Sequence, residues 1–175
     1  MNRRSALDIS LITALGLVVS LSNAVAQQKQ HVSFNSAAEN SKYTEQHVID
    51  VGDIPGHQVR VYEIHRTYPT NPPVINGLKL TDVWTRATSD YINGMGSGNN
   101  YGIYVVENGD KFFVRSTLVA QSSGTGKLTA TVSGVIAGGT GKLSGITGTV
   151  QSVTQADPKA GFNENQTDID YSIEK

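Results

Sequence analysis

The chain has 175 residues, a formal net charge of -1, 18 glycines and no cysteine. The length suits one ordinary domain, and the missing cysteine excludes disulfides, thiolate metal sites and cysteine nucleophiles. The near-zero charge argues against a nucleic-acid partner, because binding to phosphates needs a basic excess.

Residues 1–26 have the pattern of a cleaved secretory signal. Arg3 and Arg4 supply a positive start, residues 9–21 are mostly apolar, and Ala24-Val25-Ala26 is a small-x-small cleavage site. The alternative is a membrane anchor, but the apolar run is shorter than the roughly 20 residues that span a bilayer. We therefore expect cleavage near Ala26 and a secreted or periplasmic protein with no membrane span after cleavage.

The composition of the remaining sequence changes near residue 47. Residues 27–46 are polar and follow no period, so we expect a flexible leader. Residues 47–175 contain short runs of valine, isoleucine, tyrosine and threonine between turn signals, which is typical of an all-β domain without a long helix. We predict eight strands, over residues 48–51, 57–68, 78–88, 101–107, 111–120, 128–136, 143–153 and 169–174.

Glycine, proline and asparagine mark the connections between these strands. Asn71-Pro72-Pro73 predicts a loop, because proline cannot donate a hydrogen bond to a sheet. Residues 93–100 predict a glycine-rich loop, either a mobile lid or a plain connector. Asn108-Gly109 predicts a two-residue hairpin turn, and residues 137–142 predict a second hairpin.

The hairpin around Asn108-Gly109 carries large side chains on both faces. In the predicted register, Tyr104 pairs with Phe113 near Arg115, and Val105 pairs with Phe112 on the other face. A two-layer sandwich would leave one face mostly polar, so the pattern favours a closed eight-stranded antiparallel barrel. The interior of such a barrel is filled by side chains or holds one small ligand.

The sequence Gly-Thr-Gly-Lys-Leu occurs twice, at residues 124–128 and 139–143. A phosphate-binding loop would need serine or threonine after the lysine, where leucine stands in both copies. A dinucleotide-binding fingerprint must open a helix, whereas alternating strand sequence follows each copy. We interpret both copies as glycine turns that lead into strands.

The second copy lies in a longer segment, Gly138-Gly139-Thr140-Gly141-Lys142-Leu143-Ser144-Gly145-Ile146-Thr147-Gly148. This segment resembles the "GGTGKF…ARG" segment of the allene oxide cyclase and dirigent protein barrels, and the likeness extends loosely over residues 48–175. The resemblance implies an eight-stranded antiparallel barrel and a homo-oligomer, since both families associate as trimers. Allene oxide cyclases isomerise a fatty-acid epoxide, and dirigent proteins steer phenoxy-radical coupling. Their pocket residues do not align here, and residues 91–102 lack the arginine of the corresponding dirigent strand, so we carry over only the fold.

Residues 57–68 have the richest polar pattern. Strand alternation places Glu63 and His65 on one face with Val59 and Val61, and these valines weakly favour burial of that face. Inside a barrel, Glu63 and His65 would be an acid/base pair. They would also supply two of three metal ligands, with Asp82 or Glu107 as the third, but nothing places that ligand, so we assign no metal and no cofactor.

The opposite face of the same segment carries Arg60, Tyr62, Arg66 and Tyr68. If this face is inward, the interior is cationic and aromatic and suits a small anionic ligand. Six residues are candidates for ligand binding because they are aromatic or can meet a carboxylate: Tyr62, Trp84, Arg86, Tyr91, Tyr104 and Arg115. Trp84 could equally be a core residue with Asp82 and Arg86 paired beside it.

Three functional hypotheses follow from these patterns. The first is an exported barrel that binds a small, partly apolar molecule without catalysis. The second is an isomerase or cyclase that uses Glu63 and His65. The third is a structural or surface-interaction protein whose interior is filled by its own side chains.

Overall fold

The computed structural model describes residues 28–124 and 126–174. Within these ranges the protein is all-β, as predicted, with ten strands rather than the eight expected and with two short 3-10 turns. The predicted signal sequence, residues 1–26, lies outside the described residues.

The ten strands are numbered in chain order. They are β1 (Gln30–Ser36), β2 (Ser41–Asp50), β3 (His57–Thr67), β4 (Val74–Ile75), β5 (Leu78–Ile92), β6 (Met95–Val106), β7 (Lys111–Ser122), β8 (Leu128–Gly139), β9 (Ile146–Asp157) and β10 (Phe162–Ile173). The 3-10 turns are Ala38–Asn40 and Gly141–Leu143.

All strand pairs in the sheet are antiparallel, and the sheet is strongly curled into a half-barrel. The strand order is β1-β10-β9-β8-β7-β6-β5-β3-β2, with the short β4 paired to β5. The first and last strands of this order are consecutive in the chain. Ser36 ends β1 opposite Asn165, and Ser41 begins β2 opposite Arg66, so one 3-10 turn joins the two edges of the sheet.

Most of the described part of the expected flexible leader, residues 28–46, is strand, in β1 and the first half of β2. All seven residues of β1 pair with β10, from Gln30 opposite Tyr171 to Ser36 opposite Asn165. Val32 and Phe34 alternate towards the core and pack against it. The polar residues between them face away, which made the segment look uniformly polar in the sequence.

The predicted glycine-rich loop at residues 93–100 is also mostly strand. Only Asn93 and Gly94 form the turn, with φ of 53° and 80°, as a tight two-residue hairpin requires. Gly98 pairs with Ser89, and a Cβ on Gly98 would lie 2.3 Å from the carbonyl oxygen of Thr88. Glycine at this position therefore permits close strand approach, and neither a lid nor a loop is present here.

The hairpin after β6 differs from the predicted register by one residue. Tyr104 pairs with Phe112, rather than with Phe113, because three residues, 107–109, form the turn between Val106 and Asp110, and not two. The backbone N–H of Asp110 donates to the Asn108 side-chain oxygen over 3.0 Å, and the Val106 N–H donates to the Asp110 carbonyl over 2.9 Å. The longer turn points Tyr104 inward and Phe113 outward.

Both copies of the Gly-Thr-Gly-Lys-Leu sequence precede strands, as predicted. Gly126 and Lys127 lead into β8, and the second copy forms the 3-10 turn before β9. In the second copy, the backbone N–H of Lys142 donates to the Asp110 carboxylate over 2.9 Å. This hydrogen bond is the first cause of a lowered Asp110 pKa, and it ties the turn to the neighbouring hairpin.

The inner face of the sheet has an apolar cluster at each end and polar residues between them. One cluster, here called the plugged end, includes Leu80, Tyr104, Phe112, Ile146 and Ile169, and is covered by Ile75 and Leu143. The other, here called the mouth end, contains Tyr91, Leu118, Ala120, Leu128, Ala130, Val132 and Ala156. The intervening polar layer includes Arg66, Asn100, Ser116, Thr154 and Asn163.

The close approach at Gly98 gives a test of the strand pairing. We expect Gly98→Ala to destabilise the protein by about 1–3 kcal/mol, because the new methyl group meets a backbone oxygen that cannot rotate away. Gly102→Ala, on the same strand and face, is the matched control. Its closest neighbour is the edge of the Tyr104 ring at 3.0 Å, so its effect should be smaller. Chemical denaturation measures both, and equal effects would contradict this account of Gly98.

Candidate functional site

The alternation of β3 decides which polar residues face the interior. Ile64 is 3% exposed and Arg66 is 6% exposed, whereas Val59 and Val61 on the other face are 37% and 52% exposed. Arg60, Tyr62 and Arg66 therefore face inward. The weak expectation that the Glu63 face would be buried is wrong, because the valines on that face lie at the surface.

The buried guanidinium of Arg66 is at the centre of the polar layer. Its Nη1 donates to the Thr85 hydroxyl over 2.9 Å, and its Nη2 donates to the Asn163 side-chain oxygen over 2.7 Å. Its Nε is buried and has no hydrogen-bond partner. Over residues 28–124 and 126–174 no carboxylate forms an ion pair with Arg66, so its positive charge is balanced only by neutral dipoles.

Two small cavities, each of about 50 Å³, lie beside Arg66. Arg66, Thr85, Asn100 and Thr154 line both of them, and no acidic residue lines either. The side-chain oxygen of Asn100 is a second buried group without a partner. A cavity needs roughly 10–15 Å³ to hold one water, so each of these cavities has room for a few waters or for one small polar group.

Three tyrosines and Arg60 line the cavity that extends towards the mouth end. The rings of Tyr43 and Tyr62 are 6.1 Å apart, and the Arg60 guanidinium lies 5.5 Å from the Tyr62 ring centre. Burial raises the pKa of Tyr43, Tyr62 and Tyr91 above the ordinary value of 10. These phenols therefore stay neutral near pH 7 and keep protons that they can donate.

This arrangement favours binding of an anion. It combines one fully buried cation, a second cation nearer the mouth and neutral hydroxyl donors, with no carboxylate among the residues that line it. A charged guanidinium donates strong hydrogen bonds to a carboxylate, and burial strengthens them further.

Glu63 and His65 lie on the outer face, on the opposite side of β3 from these cavities. Glu63 pairs with Arg86 over 2.7 Å and accepts a 2.7 Å hydrogen bond from Thr44. His65 stacks on Trp84, with ring centres 3.8 Å apart, and its Nε2 is 2.7 Å from the Asp82 carboxylate. The two predicted acid/base residues are thus each engaged by a different partner.

The structure divides the six predicted ligand-binding residues among three places. Tyr62 and Tyr91 line the cavity beside Arg66. Tyr104 is packed on Phe112 in the plugged end, with ring centres 4.4 Å apart, and it also lines the second cavity beside Arg66. Trp84, Arg86 and Arg115 lie on the outer face of β5 and β7.

Arg66 was not among the predicted site residues, and neither were Tyr43, Asn100 and Asn163. The one signal for Arg66 was its alternation with Tyr62 along β3. Asn100 and Asn163 come from segments that looked like loops, so nothing in the sequence placed them beside an arginine.

Comparison with known proteins identifies neither a family nor a function for this site. No protein-family model matches the chain, and no curated protein matches it in sequence. Within the described ranges, no helix has the length and apolar character needed to cross a membrane. In the same residues, no three histidine, aspartate or glutamate side chains converge as a metal site.

His57 forms a charged clamp at the mouth end. Its Nδ1 contacts the Asp53 carboxylate at 2.6 Å, and its Nε2 contacts Asp90 at 2.8 Å. The hydrogen bonds to Asp90 and then to Asp53 raise the pKa of His57 above its ordinary value of 6.5. The clamp joins the connection between β2 and β3 to β5, beside the residues that flank Tyr91.

The raised His57 pKa determines how the stability of the folded protein changes with pH. The clamp contributes its full stability below pH 6.5 and loses it as the pH rises through the raised pKa. Asp53 stays ionised throughout, because the Ile54 backbone N–H lowers its pKa below 3.8. The unfolding temperature of the native protein, measured from pH 5.5 to 8.5, should fall as this stability is lost. In His57→Gln the unfolding temperature should depend less on pH. His47→Gln, an exposed histidine on β2, is the control, and a His57→Gln profile as steep as the native one would contradict the clamp.

Proposed function

We propose that the protein binds a small anionic, partly apolar molecule in the interior of the curled sheet, without catalysis. The observation that carries the proposal is the Arg66 guanidinium, which is buried without a carboxylate and has an unpaired Nε. A buried charge that lacks a counterion costs several kcal/mol, and an anionic ligand would supply that counterion.

The proposal includes closure of the curled sheet into a barrel. Three contacts between its two edges support closure: Arg66 of β3 and Tyr43 of β2 both hydrogen-bond Asn163 of β10, and Ser36 of β1 contacts the Tyr68 hydroxyl at 2.7 Å. In a closed barrel these residues would surround the interior, with Tyr43, Tyr62 and Tyr91 lining its cavity towards the mouth end.

The shape of the interior indicates how the ligand would lie. The cavities beside Arg66 hold a group as small as a carboxylate, and the aromatic residues extend from there towards the mouth end. We infer that the anionic group contacts Arg66 and that the apolar part of the ligand packs among the tyrosines, whose faces are apolar and whose hydroxyls donate.

We favour binding over the isomerase hypothesis, because Glu63 and His65 face away from the interior. The hypothesis of a structural protein is the stronger competitor. Two cavities of about 50 Å³ leave little free volume, so a larger ligand would have to displace side chains at the mouth end. Ligand-dependent stability separates these two hypotheses.

Export to the periplasm or the cell exterior remains part of the proposal, and it rests on the pattern of residues 1–26. Kinship with the allene oxide cyclase and dirigent barrels is likewise proposed, from the glycine segment 138–148 and the all-antiparallel sheet.

The central experiment compares carboxylates with their neutral amides. Benzoate and hexanoate should raise the unfolding temperature of the native protein, whereas benzamide and hexanamide should not. At 100 times its dissociation constant, a ligand stabilises the folded state by about 2.7 kcal/mol. Native mass spectrometry of protein purified from its own source would show any ligand that it retains.

Arg66→Met tests the role of the guanidinium. We expect carboxylates no longer to stabilise this variant. Its own stability should change by less than about 2 kcal/mol, since removal of an unbalanced buried charge offsets the loss of two hydrogen bonds. Lys111→Met, the same charge change at an exposed position, should respond like the native protein. Stabilisation by amides as well, or a response that survives in Arg66→Met, would refute the proposal, and a native protein that responds to no ligand would favour the filled structural barrel.

A further inference from the structure

A second and larger concavity lies on the outer face of the sheet, away from Arg66. This outer groove has a volume of about 750 Å³ and crosses the middle of β5, β6, β7 and β8. One wall is a cross-strand row in direct register, Arg86, Tyr101, Arg115 and Val135. The other wall is the parallel row Thr88, Asn99, Thr117 and Ser133.

Small residues predominate in the floor of the outer groove. It is formed by Ala87, Asn100, Ser116 and Gly134, whose side-chain positions face the interior. Three of the four are small, and a Cβ on Gly134 would lie 2.6 Å from the Cβ of Ser116. Strands β7 and β8 therefore approach each other closely at the floor of the groove.

The groove is cationic. Arg86 and Arg115 stand two strands apart on the same wall, about 10 Å from each other by the spacing of neighbouring strands. No acidic residue lines the groove, although Glu63 pairs with Arg86 at its rim. Over the described ranges, Arg115 forms neither a hydrogen bond nor an ion pair, and its side chain is exposed.

The rest of the lining suits a polyhydroxylated chain. Tyr101 is 37% exposed, and its ring is held by a stack on Phe113 with ring centres 6.3 Å apart. A held aromatic face packs against the apolar face of a sugar ring. The opposite wall consists of hydroxyl and amide groups that both donate and accept hydrogen bonds, as sugar hydroxyls do.

An acidic peptide fits the groove less well. Peptides that bind to sheets usually add a strand at a free edge, and β5 to β8 are each paired on both sides. The backbone of these strands thus offers no ladder to a peptide, and recognition must come from side chains alone.

We propose that the outer groove binds a carboxylated polysaccharide that lies across the strands. Carboxylates of the sugar chain would meet Arg115 and Arg86, a ring would stack on Tyr101, and hydroxyls would bond the Thr88 to Ser133 wall. This site is on the opposite side of the sheet from Arg66, and it does not depend on the interior binding proposed above.

Calorimetric titration with oligogalacturonate tests the proposal on the full-length protein. Arg115→Gln should raise the dissociation constant about tenfold, the equivalent of one lost charge-assisted hydrogen bond. Lys111→Gln makes the same charge change on the same strand but outside the groove, and it should alter the dissociation constant less than twofold. Tyr101→Thr keeps a β-former and removes the ring, and it should weaken binding while leaving the response of the interior site to benzoate intact.

Poly-glutamate and neutral glucan oligomers of equal length distinguish the alternatives. Weaker binding of both than of oligogalacturonate supports the proposed class. Equal binding of poly-glutamate would show that charge alone is recognised, and equal binding of the neutral glucan would show that the arginines are not used; either result overturns the proposal. An unchanged dissociation constant in Arg115→Gln, with an unchanged unfolding temperature, would also overturn it.

Discussion

The interaction on which the interior depends is the contact between the Arg66 guanidinium and Asn163. It joins β3 to β10, strands that lie near opposite edges of the same sheet, and it does so without a carboxylate. Around it, Thr85, Asn100 and Thr154 form a polar layer between two apolar clusters. The apolar clusters supply most of the stability, while the polar layer keeps a charge in a place where charges are costly. The anion binding proposed above would give this buried charge a counterion.

The two faces of β3 separate two kinds of chemistry. The inward face carries Arg60, Tyr62 and Arg66 and points at a cavity without acids. The outward face carries Glu63 and His65, which pair across to β5, with Arg86 and Asp82. Because successive side chains alternate, one strand supplies both the arginines that line the interior cavity and the half-exposed ion pairs of the outer face. Arg86 on the outer face also lines the outer groove, so opposite surfaces of one sheet carry the two proposed sites.

Much of the fold could be predicted from the sequence, because alternation and turn residues are local signals. The all-β class, the two glycine turns before β8 and β9, and the loop at residues 71–73 all follow from such signals. The strands β1 and the first half of β6 could not be predicted, since polar or glycine-rich residues mask their alternation. Only the grouping of residues along β3 in the candidate site could be predicted. Alternation grouped Arg66 with Tyr62, but the choice of the inward face and the meeting of Arg66 with Asn163 depend on pairing between distant segments.

The central claim is that the Arg66 Nε–H is a free donor reserved for an anion, and nitrogen-15 NMR observes that group directly. In a benzoate titration, the Arg66 Nε–H signal, assigned by its absence in Arg66→Met, should shift in a saturable way. Benzamide should leave the Arg66 signal unchanged. An Arg66 signal that does not move with benzoate, or that moves equally with benzamide, would contradict the claim.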